Sequence, residues 1–198
     1  MTTLAYDESQ SLRDARARYF HDNAFGDDGG YAAKWVKLQL GPVPFAIPNS
    51  AARVRALKFH DLHHVVTGYA TNVVGEAEIG AWEIGSGCAG FVAAWILNLY
   101  AMVLGLAAGA PGAVWRAFLR GRHTGNLYRT PYDDMLLDAG LREVRTRLGL
   151  AAHAPALPAA TAADRIAFAF WLGMALLLAL ATLGLAVTPL VLVARALF

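Results

Sequence analysis

The run His60-Asp61-Leu62-His63-His64, followed after eleven intervening residues by Glu76, collects imidazoles and carboxylates at spacings that suit a metal ion. If residues 51–67 are helical, a turn of about 100° per residue places Leu57, His60, Asp61 and His64 within an arc of about 100°, so three candidate ligands share one stripe. Glu76 lies too far along to join them on one straight helix. Gly68, Asn72 and Gly75 offer places to turn, after which a second helix can return the Glu76 carboxylate to the first. The pattern therefore predicts a helical hairpin with His60, Asp61, His64 and Glu76 around one divalent metal. Imidazoles and carboxylates suit iron(II), zinc or manganese alike, and two histidines plus carboxylate with open positions suit iron-dependent oxygen chemistry. His63 projects away from His64 and is read as a supporting residue. Glu78 and Glu83 are read as solvated or supporting groups rather than ligands.

The four residues reproduce the pattern HDxxH-x11-E without a gap. Together with Phe59, Thr67, Gly68, Tyr69 and the run Gly75-Glu76-Ala77-Glu78 around them, they give a chain that resembles the coenzyme Q biosynthesis protein 4 family over residues 10–150. The resemblance implies an all-helical protein of ubiquinone biosynthesis that holds a divalent metal and acts on, or presents, a polyprenylated aromatic precursor. It also implies a reaction: the ring carboxyl of a polyprenylated hydroxybenzoate is removed and a hydroxyl installed in its place. The alternative is a noncatalytic lipid-binding scaffold that uses the same metal to hold its helical hairpin and assembles other ubiquinone-biosynthesis enzymes. Ligands for a catalytic and a structural metal can be the same residues, so the motif does not separate the two. Membrane lipid is a further expected partner, and a homodimer is left open. The string HDLHH also satisfies HxxHH, a histidine box of membrane desaturases, but those enzymes use several boxes. The remaining histidines here, His21, His123 and His153, form no second one.

A chain of 198 residues has room for one domain with a core and an appended element. The formal charge of +2, with no basic stripe interleaved with aromatics, excludes a nucleic-acid reading. The single cysteine, Cys88, has no partner for an intramolecular disulfide or a thiolate metal site, and is read as a structural thiol in a reducing compartment. The N-terminus has neither an apolar signal core nor an acid-free, Arg-rich transit character. These features predict a bacterial protein facing the cytoplasm.

Charge distribution says more than the total. No Asp, Glu, Lys or Arg occurs from Ile84 to Trp115 or from Ile166 to Ala194. Ile166 to Val187 supplies 22 largely apolar residues, enough at about 1.5 Å per residue to cover a hydrocarbon core of about 30 Å. It is read as a C-terminal transmembrane helix, with Thr188-Pro189 as a kink or end. The arginines that precede it (Arg116, Arg120, Arg122, Arg129, Arg142, Arg145, Arg147 and Arg165) point to the cytoplasmic side of the bacterial inner membrane. The first apolar stretch is read either as a buried core helix or as a helix dipping into the bilayer, with Trp95, Tyr100 and Trp115 near its boundary. Arg116, Arg120 and His123 are read as a basic collar against lipid headgroups, or as a site for an anionic substrate group. The Gly105/Gly109 pair has the spacing of a close-packing helix motif.

Three units follow: a metal-binding domain over residues 1–150, an Ala/Pro linker over 151–163 and a membrane anchor over 164–198. Within the first, Leu12, Ala15, Tyr19 and Phe20 predict a helix that ends before the loop Asn23–Gly30. The spacing of Asp22, Asp27 and Asp28 in that region misses a calcium loop. Tyr31, Trp35 and Leu38 predict a short second helix ending near Gly41, and Pro42, Pro44 and Pro48 an extended connection to the metal-motif helix. Thr130-Pro131-Tyr132-Asp133 reads as a helix start with an N1 proline, opening a helix with Leu137, Leu141, Val144 and Leu148 on its apolar face.

Overall fold

The computed structural model describes residues 6–40, 43–150 and 158–197, which form eight helices and one two-stranded hairpin. Helix α1 (Leu12–Asp22) starts where the Ser11 hydroxyl accepts a bond from the Asp14 N–H, and it buries Leu12, Ala15, Tyr19 and Phe20. The expected second helix is instead a hairpin of β1 (Trp35–Leu40) and β2 (Val43–Pro48), paired antiparallel from Trp35 opposite Pro48 to Leu40 opposite Val43. The fold is therefore mostly helical rather than wholly so. Tyr31, Trp35 and Leu38 match a helical period, but Val36-Lys37-Leu38-Gln39-Leu40 alternates apolar with polar, and the prolines of β2 suit a strand with free edges.

Helix α2 (Ala51–Thr67) is capped by Ser50 and ends at Gly68, whose φ of 79° is the left-handed turn that favours glycine. Its last carbonyls are met by arginines. Arg145 donates to Val65 O and Val66 O, both at 3.0 Å, and Arg120 to Thr67 O at 3.2 Å. These two cations complement the negative end of the helix. The Asn72 side chain then caps α3 (Val73–Ser86) by accepting from the Gly75 N–H, so the predicted α2–α3 hairpin forms.

The first uncharged stretch is divided among the end of α3, the whole of α4 (Val92–Ala107) and the start of α5 (Pro111–Arg122). At 16 residues, α4 reaches only about 24 Å, short of the roughly 30 Å of a hydrocarbon core. Glycines set how closely these three helices approach. A Cβ built on Gly105 would lie 2.4 Å from the Ala77 Cβ, one on Gly85 2.4 Å from Phe118 O, and one on Gly121 2.2 Å from Trp82 O. Gly105 thus works inside the domain, while Gly109 lies beyond the end of α4.

The single helix expected after Thr130 is two. Asp133, not Thr130, caps α6 (Asp134–Asp138), and α7 (Leu141–Leu148) begins after a break at Ala139-Gly140. The break pays for tertiary bonds: Leu12 N–H reaches Ala139 O at 3.0 Å and Leu141 N–H reaches Gln10 O at 2.9 Å. Leu137, Leu141, Val144 and Leu148 are buried as their spacing predicts.

Helix α8 (Ala162–Leu197) is long and apolar enough over Ala162–Thr188 to cross a membrane, and it continues past Pro189. Residues 151–157 of the expected linker lie outside the described residues. Rather than standing clear of the domain, α8 lies along it. Trp171 stacks on Trp95 with ring centres 4.6 Å apart, and Phe168 packs against Trp115 and Phe118 at 5.0 and 5.2 Å. Tyr100 bonds to Thr182 further along, and Arg122 donates to Asp164 at 3.2 Å at the start of the helix.

Candidate metal centre

The α2–α3 hairpin turns two imidazole nitrogens and one carboxylate toward a common point. His60 Nε2 and His64 Nε2 are 3.2 Å apart, and the Glu76 oxygens lie 3.4 Å from each of them. Ligands about 2.1 Å from a shared metal sit about 3.0 Å apart at right angles and about 3.4 Å apart at tetrahedral angles. The three side chains therefore already stand at the separations that coordination requires.

The proton assignments point the same way. His64 Nδ1 is 3.0 Å from Tyr69 O, a carbonyl that can only accept, so Nδ1 carries the proton and Nε2 is left as a lone pair. His60 Nδ1 is 3.0 Å from Glu83 Oε1, again an acceptor, which leaves its Nε2 a lone pair as well. Two neutral imidazoles would thus face each other lone pair to lone pair beside a carboxylate. Such a set needs a cation, either a proton or a metal. Glu76 and Glu83 bring two negative charges, which a divalent ion balances.

Without a metal the proton takes that place. Burial alone would lower the His60 pKa, but the Glu83 charge and the bonds to Glu76 and Glu83 hold it well above the ordinary imidazole value. Burial would raise Glu76, yet its two histidine partners hold it down at about 2. Glu83, whose burial also opposes ionisation, is held well below the carboxylate range by His60 and His63. Access differs around the centre: the His64 side chain is fully buried, whereas that of Glu76 is 41% exposed. The centre therefore opens on the α3 side, and the Tyr19 ring closes the other by stacking on His64 at 5.5 Å.

Of the four predicted ligands, His60, His64 and Glu76 form the group whose donor atoms lie within 4.8 Å of one another. Asp61 stands beside this group and is 4% exposed, and its Oδ2 accepts from the Tyr31 hydroxyl at 2.6 Å. One residue beyond His60 on a helix is about 100° further round, which carries this carboxylate toward α1 and Tyr31. Burial raises its pKa. His63 is supporting, as its direction predicts: Nδ1 lies 2.7 Å from Glu83 Oε1, and Nε2 accepts from the Leu127 N–H at 3.0 Å. Cys88 is buried, with its pKa pushed up by that burial. Arg120 is engaged by Thr67 O and the Tyr69 ring, and His123 lies 3.6 Å from Asp164, so these two members of the expected basic collar serve the fold.

Sequence reasoning left Glu83 between a solvated and a supporting group, gave Tyr31 only a helix position, and passed over Asn98 and Tyr128. Two signals were available. Glu83 follows Glu76 at i+7, on the same face of a helix with little other charge, and Asn98 is the one side-chain amide in an uncharged apolar helix.

Fold and site together define a mostly helical protein with a candidate two-histidine, one-glutamate metal centre and one helix of membrane-spanning length. Compared with known protein families, curated proteins and solved structures, the chain matches none.

Proposed function

We propose that the chain is a membrane-associated, metal-dependent enzyme of ubiquinone biosynthesis that replaces the ring carboxyl of a polyprenylated hydroxybenzoate by a hydroxyl. The observation that carries the metal is the convergence of His60 Nε2, His64 Nε2 and the Glu76 carboxylate. The substrate class and reaction rest on the HDxxH-x11-E spacing and its family resemblance. A divalent ion held there supplies Lewis acidity and, if it is iron, a route to oxygen chemistry. The protein's own part is to aim two imidazoles through Tyr69 O and Glu83, to exclude water on the Tyr19 side and to leave the Glu76 side open to a head group.

The apolar surface suits a greasy substrate tail. Val92, Ile96, Leu97 and Leu104 of α4 are exposed, and α8 adds Ile166, Phe170, Leu177 and Leu180. No charged side chain interrupts α4. This surface favours membrane lipid as its partner, and the arginine excess before α8 favours the cytoplasmic face of a bacterial inner membrane.

A noncatalytic scaffold is the second reading, and one observation favours it. Helix α3 packs chiefly on α4 and α5 and meets α2 directly at few residues, so a metal between α2 and α3 would fasten that junction. The experiment that separates the readings supplies purified protein with the prenylated aromatic acid, metal, oxygen and a two-electron donor such as ascorbate, since the carboxyl leaves as carbon dioxide, one oxygen atom enters the ring hydroxyl and the other is reduced to water. Formation of the decarboxylated, hydroxylated product without other proteins supports the enzyme. Tight binding of the acid without turnover supports the scaffold.

A further inference from the structure

Glu83 is fully buried, and every one of its acceptor positions is engaged. Oε1 receives His63 Nδ1 at 2.7 Å and His60 Nδ1 at 3.0 Å. Oε2 receives the Tyr128 hydroxyl at 2.6 Å and the Asn98 amide. The direction of each bond follows from the partners. Asn98 Nδ2 can only donate. His63 Nε2 accepts from the Leu127 N–H, so its Nδ1 carries the proton. A carboxyl group that already holds the His63, Asn98 and Tyr128 donors has no room for a proton of its own, so it accepts from His60 as well.

From this convergence we propose that Glu83 is a positioning residue for the metal centre: it fixes His60 as the Nδ1–H tautomer and aims Nε2 at the point shared with His64 and Glu76. The inference rests on the metal reading above. A buried carboxylate with four donors costs desolvation that a buried apolar side chain would not. Packing alone does not call for one here, whereas a metal-binding histidine commonly donates its other ring N–H to a carboxylate that sets its tautomer and basicity. His64 has the same arrangement with a backbone carbonyl in the carboxylate's place. Asn98 and Tyr128 hold the far oxygen and so keep Glu83 from turning away. Through Asn98, the apolar helix α4 is one hydrogen bond from Glu83 and two from a metal ligand.

The test uses the full chain in detergent with cobalt(II) as the probe, since its visible absorption reports ligand geometry. Glu83→Gln keeps the shape and an acceptor for the ring N–H but removes the charge. It is expected to weaken cobalt(II) binding by about 10- to 100-fold and to shift the absorption bands. Adding Asn98→Asp returns a carboxylate to the cluster without placing it on His60. This double variant is expected to recover melting temperature but not affinity. Unchanged affinity and bands in Glu83→Gln, or affinity that recovers in step with stability in the double variant, overturns the positioning role. Absence of cobalt(II) binding by the wild type overturns the metal reading and this inference with it. Should Glu83→Gln not fold, 15N histidine NMR of the metal-loaded wild type decides. Nδ1–H on both His60 and His63 supports the assignment, and Nε2–H on His60 overturns it.

Discussion

Glu76→Gln separates ligation from packing more cleanly than any change at the two histidines. The His64 ring is buried and stacked on Tyr19, so its removal disturbs the core whether or not a metal is bound. The Glu76 side chain is 41% exposed, and Gln matches its shape. In metal-free protein the substitution gives up partly solvated pairs with His60 and His64, worth about 0–1 kcal/mol. With metal present the expected loss is larger. A ligand at 100 times its dissociation constant stabilises the native state by about 2.7 kcal/mol. For a chain of this size that raises the melting temperature by about 5–11 °C. Losing one of three protein ligands should weaken binding at least as much as losing a supporting residue, about 100-fold at the upper end. At the same metal concentration the stabilisation then falls to about 0.4 kcal/mol, or about 1–2 °C. The assay is thermal unfolding of the chelator-treated protein with zinc, manganese or iron(II) added back, wild type against Glu76→Gln. An equal metal-induced rise in both would show that Glu76 is not a ligand. No rise in the wild type with any of the three ions would remove the metal centre altogether.

Elemental analysis is expected to find about one divalent metal per chain, lost largely in His64→Ala and retained in His63→Ala. The latter should still cost about 2–4 kcal/mol by denaturant titration, through its cavity and the orphaned Leu127 N–H. Glu76 is held near 2 against its ordinary 4.5, so in metal-free protein its contribution is complete above pH 4.5 and is lost as pH falls through about 2; denaturant midpoints across that window should fall less steeply in Glu76→Gln. Carbonate extraction should leave the full-length chain in the membrane and strip a chain ending at residue 161, because α4 alone is too short to cross. Resistance of the truncated chain would place α4 within the bilayer.

The hairpin was legible because its signals are local. Ser50, Gly68 and Asn72 punctuate the two helices, and the i, i+4 spacing of His60 and His64 needs no tertiary information. The Trp35–Pro48 hairpin was not, because Tyr31, Trp35 and Leu38 fit a helical period over a segment short enough to fit a strand as well. The break at Ala139-Gly140 depends on pairing with Ser11, more than a hundred residues earlier, which no window around Thr130 contains. Glu83 could be found on a helix face, but its bonds to Asn98 and Tyr128 depend on how α3, α4 and the later chain meet. Helix α8 was visible from composition alone, while its docking on Trp95, Trp115 and Tyr100 was not, since apolar length says nothing about what one face touches.

The glycine contacts within α3, α4 and α5 bear on how fast a metal enters and leaves. With backbone or Cβ atoms in the way of any added carbon at Gly85, Gly105 and Gly121, those helices cannot slide past one another without separating. Glu76 and Glu83 therefore belong to a stiff frame, and His60 and His64 to a helix that packs on α4 of that frame and on α1. Freeing the buried His64 means lifting α2 away from α3, a motion opposed by the His60 and His63 bonds to Glu83 and by the Arg120 bond at the α2 C-terminus. Because the Glu76 side of the centre is already open, a small chelator reaches a bound ion without that motion, so stripping should quicken as chelator concentration rises, whereas exchange that needs His64 freed waits on α2.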